Sequence, residues 1–320
     1  MKKKELCAVA CLFWLAGCND PASDEIEIVK NLFPVQFSVQ LQKEVLPFPS
    51  TRSMPPNAFP EPTVPDESDP DKENPDKELK DFCSTIEYLV YDKNDLEEPV
   101  KHHIYNVETD NDFSIVYDTL PAGNYQVYFL AYRSEESSFA ENTFSFDKLS
   151  DTFYGTKVFA VEKEEETNMD IDLERIVSRI EFKAIDPVPD VIKQFDISVK
   201  NYPTKLNILT KEGIASSEEQ SFTYLFKPND KGQSGKTHSF YAFVASGGKR
   251  ISATLTSTDI DGQVMRCRTV TDILPIANKV IRYTGILYTH PKPDESENTF
   301  NLIIGDNGEW SEPVENELPE

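Results

Sequence analysis

Short runs in which apolar and polar residues alternate recur about every ten residues along most of this chain, with turn residues between them, and nowhere does an apolar pattern hold the helical period for long. A two-residue period puts successive side chains on opposite faces of an extended strand. A chain built this way can bury its apolar half only by pairing strands and stacking sheets. The clearest run is Val35, Phe37, Val39, Leu41 and Val45, interleaved with Gln36, Ser38, Gln40, Gln42 and Glu44. Further candidate strands begin at Phe82 and run through Ile86–Val90, Val100–Val107, Phe113–Tyr117, Tyr125–Tyr132, Tyr154–Val161 and Met169–Leu173. A second series after Arg175 extends from Ile180–Ile185 to Phe300–Ile304, and two tandem β-domains are expected to meet near residue 175. Short helices could hide only in Ser134–Leu149 and Asp186–Lys193.

Two segments fall outside this pattern. From Pro47 to Lys80 prolines punctuate acidic and polar residues, a composition that cannot bury enough apolar area to order itself, so a linker or long exposed loop is expected. At the N-terminus, Lys2, Lys3 and Lys4 precede an apolar run from Leu6 to Ala16 that ends in Leu15-Ala16-Gly17-Cys18. Such a run is too short to span a bilayer, which takes about 20 residues, and it reads as a cleaved signal peptide. Its last four residues resemble a bacterial lipobox. The resemblance implies cleavage before Cys18 and acylation of that residue, which would hold the protein on a membrane without crossing it.

The chain of 320 residues carries a formal net charge of −24, and no Lys/Arg cluster remains outside the signal segment. Nucleic acid is thereby excluded as a partner, because binding it requires cations that displace counterions from phosphates. Of five cysteines, Cys7 and Cys11 lie in the signal and Cys18 at its end, which leaves Cys83 and Cys267 for the folded part. They sit in different expected domains and are expected to be buried free thiols rather than a disulfide.

Catalytic patterns are absent. His102 and His103 are adjacent in a candidate strand and point to opposite faces, so they cannot share a metal unless the strand breaks. His238 and His290 have no convincing ligand spacing. Glu162-Lys163-Glu164-Glu165-Glu166 reads as a solvated turn, since the D-x-D-x-D-G calcium loop is missing. No phosphate loop or nucleophile elbow occurs. The expectation is a non-enzymatic protein without cofactor or metal. In Leu120-Pro121-Ala122-Gly123-Asn124-Tyr125, Pro121 presets a turn, Gly123 is expected to supply a positive φ, and a long strand follows.

Taken in order, the lipobox, the early alternating strand, Thr51-Arg52-Ser53, Leu89-Val90-Tyr91-Asp92, Leu120 to Tyr125, Ser178-Arg179-Ile180-Glu181-Phe182 and Asn307-Gly308-Glu309-Trp310 resemble the fimbrillin-type lipoproteins of Bacteroidetes. The resemblance implies an all-β chain of two tandem transthyretin-like β-sandwich domains after a lipoprotein signal and tether. The expected division is a signal at 1–17, an acidic tether with early strand and Pro-rich linker at 18–80, and domains at 81–174 and 175–320. It also implies a cell-surface fimbrial subunit, or an anchor or tip component, lipid-anchored in the outer membrane through Cys18. Other fimbrial subunits would then be its partners, joined by β-strand addition. Candidates for the exchanged strand are Val35, Phe37, Val39, Leu41 and Val45, or Phe300, Leu302 and Ile304, and Arg52 is a candidate processing site. The long proline-rich stretch departs from a compact family domain. A second reading is a surface glycan- or host-ligand-binding β-sandwich lipoprotein that uses exposed aromatic side chains.

Overall fold

A computed structural model describes residues 31–42, 78–290 and, for backbone, 301–306. Among them there is no α-helix, only strands and three short 3-10 turns. The first strands in chain order are β1 (Leu32–Leu41), β2 (Thr85–Asp92), β3 (Lys101–Asn106), β4 (Ile115–Pro121), β5 (Gly123–Tyr132), β6 (Ser137–Ala140), β7 (Thr143–Phe146), β8 (Thr152–Val161) and β9 (Thr167–Arg175). They continue as β10 (Val177–Ala184), β11 (Ile192–Lys200), β12 (Pro203–Asn207), β13 (Glu212–Ala215) and β14 (Gln220–Leu225). The last five are β15 (Thr237–Phe243), β16 (Ile251–Asp259), β17 (Val264–Ile273), β18 (Lys279–Gly285) and β19 (Asn301–Asp306).

Seven strands form one sheet in the order β3-β2-β5-β8-β9-β1-β4, but β8 and β9 pair only at Phe153 with Arg175 and Tyr154 with Glu174. The sheet therefore folds over at this corner into a sandwich. Val35, Phe37, Val39, Val116, Leu120, Ile171 and Leu173 from β1, β4 and β9 share one core with Ile86, Tyr88, Val127, Phe129, Phe153 and Phe159 from the facing layer. The corner depends on Gly155, where a Cβ would lie 2.8 Å from both Ile171 Cγ2 and Leu173 Cδ2. Gly123, expected to need a positive φ, does not adopt one. Instead the Tyr125 ring folds back over it, a Cβ there would stand 3.2 Å from the phenol oxygen, and the Tyr125 hydroxyl donates to Pro121 O at 3.0 Å.

A second sandwich stacks the sheet β15-β10-β18-β19 on β14-β11-β16-β17, around Ile180, Phe182, Phe195, Ile197, Phe240, Leu255 and Tyr283. A small sheet, β13-β12-β7-β6, takes strands from both halves of the chain. It covers the outer side of β2 and β5, where Leu89, Tyr91, Tyr128 and Tyr132 meet Phe144, Leu206, Ile208 and Phe243. Ser134–Leu149, a possible helix on sequence grounds, is thus the β6–β7 hairpin. Its turn is Glu141-Asn142, both at positive φ, the geometry of the tight turns whose twist suits antiparallel strands. Asn142 is fixed there by the Tyr91 hydroxyl, which donates to its Oδ1 at 2.7 Å, and by its own donation to Leu96 O at 2.9 Å.

One residue, Ile176, separates β9 from β10. Beside it the buried Arg175 guanidinium donates to both Asp151 carboxylate oxygens (2.7 and 2.9 Å) and to Asn278 Oδ1 (2.9 Å), and lies 5.1 Å from the centre of the Phe153 ring. This fork ties the end of the first sandwich to the turn that opens β18.

Candidate strand-exchange site

The strand with the clearest alternation occupies an interior position. β1 runs parallel to β9, Val35 opposite Thr167 through Leu41 opposite Leu173, and antiparallel to β4, Leu32 opposite Pro121 through Ser38 opposite Ile115. Both of its backbone edges are therefore paired over most of its length. Beyond the ladders, Val39 N–H donates to Ser114 O at 2.8 Å and Gln42 N–H to Leu173 O at 3.0 Å.

Alternation decides what β1 buries. Val35, Phe37 and Val39 are 1%, 0% and 3% exposed, and Leu41 is half-buried at the end of the same row. The Phe37 ring is the centre of the contact, with ring centroids of Tyr88, Phe129 and Phe159 at 5.6, 5.5 and 5.4 Å. At about 1.5–3 kcal/mol for each fully buried apolar side chain, the three contribute roughly 5–9 kcal/mol, an upper bound because the unfolded chain hides some of that area already. Removing β1 would expose this floor and unpair the facing edges of β4 and β9.

The second sandwich repeats the arrangement. β10 is antiparallel to β15 and parallel to β18, as β1 is to β4 and β9. The two strands differ in how they are tied to the chain. β10 follows β9 after Ile176, whereas residues 43–77 separate β1 from the next described residue, Glu78. β1 is thus the one of the pair that no adjacent described strand follows directly in the chain.

β19 is an edge strand, antiparallel to β18, with Leu302 opposite Tyr283 and Ile304 opposite Ile281. Phe300 and Val45, the remaining exchange candidates, lie outside the described residues, as do Cys18 and the apolar run before it, the proline-rich run up to residue 77, Arg52 and Trp310; at the end of that run Leu79 is buried in a 3-10 turn rather than exposed.

The histidines and cysteines of the described residues sit elsewhere. Among the described residues no group of three or more His, Cys, Asp or Glu side chains could hold a metal. His102 and His103 diverge across β3: His102 Nε2 lies 2.6 Å from Glu87 Oε2, while His103 meets the Tyr105 ring at 4.5 Å. The buried Glu87 also accepts from the Tyr132 hydroxyl at 2.6 Å. His238 is enclosed by Phe195, Tyr224, Phe226 and Tyr288. Burial, with a smaller push from Lys236, lowers its pKa to about 3. Both folded-part cysteines are free, but only Cys83 is buried, its thiol donating to Leu79 O at 3.3 Å. Cys267 corrects the expectation of two buried thiols: β17 turns Arg266 and Val270 inward and leaves Cys267 on the solvent side, opposite Thr256.

Comparison with known proteins places this architecture. A family model described as a family of unknown function, DUF6562, matches residues 33–310. No curated protein matches the chain. A solved structure described as a "putative adhesin" from Bacteroides ovatus superposes with a TM-score of 0.50 at 14% identity, over 89% of this chain and 100% of that one. The fimbrial anchor protein Mfa2 from Porphyromonas gingivalis gives a TM-score of 0.45 at 11% identity, over 89% and 100% of the two chains. A fimbrial assembly protein from Parabacteroides distasonis gives 0.44 at 8%, over 86% and 96%. The first of these shows that the all-β arrangement of this chain recurs as a whole in a protein of distant sequence.

Proposed function

The chain belongs to the DUF6562 family, whose function is unknown, and we propose that it is a non-enzymatic cell-surface protein of fimbrial or adhesive type that joins its partners by exchange of the strand β1. The observation that carries this reading is the seating of β1: interior to its sheet, apolar on one face only, and tied to the rest of the fold through residues 43–77 rather than through an adjacent strand. A partner's extended segment could take its place, its main chain supplying the ladder hydrogen bonds and its alternate side chains filling the pockets of Val35, Phe37 and Val39. The solved fimbrial anchor and assembly proteins named above are in keeping with it.

In this reading the two sandwiches are the two domains, Cys18 carries the lipid that holds the protein at the outer membrane, and the partners are other fimbrial subunits. Cleavage after Arg52 would free β1 in a stalk or tip subunit. An anchor would keep the chain whole, since β1 then lies between the lipid and the fold. The acidic, proline-rich spacer from 55 to 76 favours the uncut anchor.

Exchange is tested by cutting the full chain within residues 43–77 with limited trypsin and adding a labelled peptide of residues 32–42. The cut protein should take up the peptide, and the same peptide with Phe37→Asp should fail to enter. Cut protein that keeps its full thermal stability and takes up neither peptide, whether or not the native strand is removed by mild urea, refutes the mechanism. Acylation is tested separately, by mass measurement of membrane-extracted protein and of its Cys18→Ser variant, which should be released in soluble form.

A further inference from the structure

Among the described residues, the outer face of the β4-β1-β9 layer carries exposed and half-buried side chains, most of them polar. Because Val35, Phe37 and Val39 point into the core, Gln36, Ser38 and Gln40 point out. On β4, Val116 and Leu120 are buried, which turns Tyr117 and Thr119 outward. On β9, Ile171 and Leu173 are buried, which turns out Asn168, Asp170 and Asp172. The register aligns these residues in rows. Gln36 stands opposite Tyr117 on one side and Asn168 on the other, and Ser38 is next to Asp170 in the following row.

Tyr117 is 61% exposed, and among the described residues it has neither a ring contact nor a side-chain hydrogen bond. A large aromatic side chain left standing on a sheet face, with a free hydroxyl, offers a flat apolar surface with a polar tip. The side-chain amides of Gln36 and Asn168 are likewise without a hydrogen-bond partner among the described residues. Two rows on, Gln40 Nε2 donates to Asp172 Oδ1 at 2.8 Å, which fixes that carboxylate in place.

We propose that this face is a binding platform for an uncharged glycan, with Tyr117 as the stacking surface and Gln36, Asn168 and Asp170 as the groups that meet sugar hydroxyls. Strands about 4.8 Å apart place an amide beside the tyrosine at about the width of one pyranose ring and a second amide one ring further on. An aromatic face takes the C–H side of a pyranose, amides donate to and accept from its hydroxyl groups, and a carboxylate accepts from them. Charge selects among glycans: the carboxylates of Asp170 and Asp172 outnumber the one described ammonium at their edge, Lys157, which donates to Asp170 O at 3.1 Å, so uronic or sialic acids would be disfavoured.

Area argues against a protein partner here. Three strands and about six residues along each make a face of roughly 10 Å by 20 Å, far below the roughly 800 Å² per partner of a stable protein interface. Its apolar side chains are spread out rather than clustered, Tyr117 in the middle row, the half-buried Ile115 in the next and Leu32 and Pro34 at the start of β1, whereas protein interfaces have an apolar core. The platform does not require strand exchange, but it does require β1 to be seated, because Gln36 comes from β1.

The test is affinity electrophoresis of the full chain through gels containing neutral polysaccharides (mannan, laminarin, xyloglucan) with polygalacturonate as the acidic comparator, followed by titration calorimetry on oligosaccharides of whichever polymer retards it most. Retardation by at least one neutral polymer is expected, with at least a tenfold loss of affinity in Tyr117→Ala, a severalfold loss in Asn168→Ala and retention in Tyr117→Trp. Thermal unfolding of all three should match the parent, since the replaced side chains are exposed. No retardation by any neutral polymer, preference for polygalacturonate, or unchanged affinity in Tyr117→Ala overturns the proposal. None of these results bears on uptake of the 32–42 peptide, so the platform and the strand-exchange reading can fail separately.

Discussion

Phe37→Ala is the substitution on which the seating of β1 turns. The side chain is fully buried and its ring meets three others at 5.4–5.6 Å, from strands β2, β5 and β8 of the opposite layer. Truncating a buried Phe to Ala removes its transfer free energy and leaves a cavity, together about 3–5 kcal/mol, and that range already contains the ring contacts. Rings on three separate strands cannot all collapse into the space, so a value of about 4 kcal/mol is expected. In a chain of this size 1 kcal/mol corresponds to about 2–4 °C in Tm, which makes the expected shift about 8–16 °C. Thermal unfolding followed by far-UV circular dichroism measures it. Phe129→Ala, across the core on β5, serves as the internal standard, and Ser38→Ala, on the solvent side of β1, as the control within about 0.5 kcal/mol of the parent. If Phe129→Ala lowers Tm by many degrees while Phe37→Ala lowers it by less than about 2 °C, β1 does not belong to the cooperative core and the exchange mechanism loses its premise.

Three further outcomes follow from the described contacts. The folded His238 has a pKa of about 3 against 6.5 for the free side chain, so below pH 6.5 the unfolded chain binds a proton that the native state refuses, and stability falls as pH drops towards 3. Urea titrations should register a loss of about 2 kcal/mol between pH 7 and pH 5, and His238→Gln should flatten that slope; an equal slope in the variant refutes the assignment. Arg175→Ala leaves the Asp151 carboxylate without its fork and should cost about 3 kcal/mol, with Arg175→Lys a poor substitute because an ammonium cannot donate in parallel to two carboxylate oxygens and to Asn278; an Arg175→Lys variant as stable as the parent would contradict the bidentate geometry. Brief iodoacetamide treatment of the native chain followed by peptide mapping should modify Cys267 and spare Cys83, whose burial pushes its thiol well above the usual range; alkylated Cys83 in native protein would show that its site opens.

What the sequence could reveal was set by what is local. The alternation from Val35 is a property of one strand and specifies which side chains are buried. Its partners are not, because β9 lies some 130 positions away and nothing in a strand's own pattern names the strand beside it. The β6–β7 hairpin was hidden for a related reason: its turn is Glu141-Asn142 rather than a glycine-containing pair, and the strands are only four residues each. Tyr117 was legible as a strand residue but not as an outward one. It ends a run of apolar residues whose inward parity is set by Val116 and Leu120, and only the burial of those two distinguishes it from a core aromatic. Cys267 was misplaced in the same way, on a strand whose inward positions include an arginine.

The slot of β1 also constrains what could replace it. Its floor receives three apolar side chains at alternating positions, with an aromatic ring in the middle. Phe300, Leu302 and Ile304 have that spacing in the sequence, which makes a second copy's C-terminal strand a candidate donor. Yet β19 is paired with β18 from Lys279 opposite Asp306 to Thr284 opposite Asn301. A copy that donates β19 must first unpair it, so its second sandwich loses the ladder with β18, which offsets part of what the two edges of an empty acceptor slot, on β4 and β9, would gain. Exchange between identical chains would then be driven less strongly than exchange with a strand that is free beforehand. A donor whose strand is unpaired before docking incurs no such cost. The fold therefore favours a different protein as donor, one whose free segment carries three alternating apolar residues. That segment's outward residues would also replace Gln36 and Ser38, and with them part of the polar face around Tyr117.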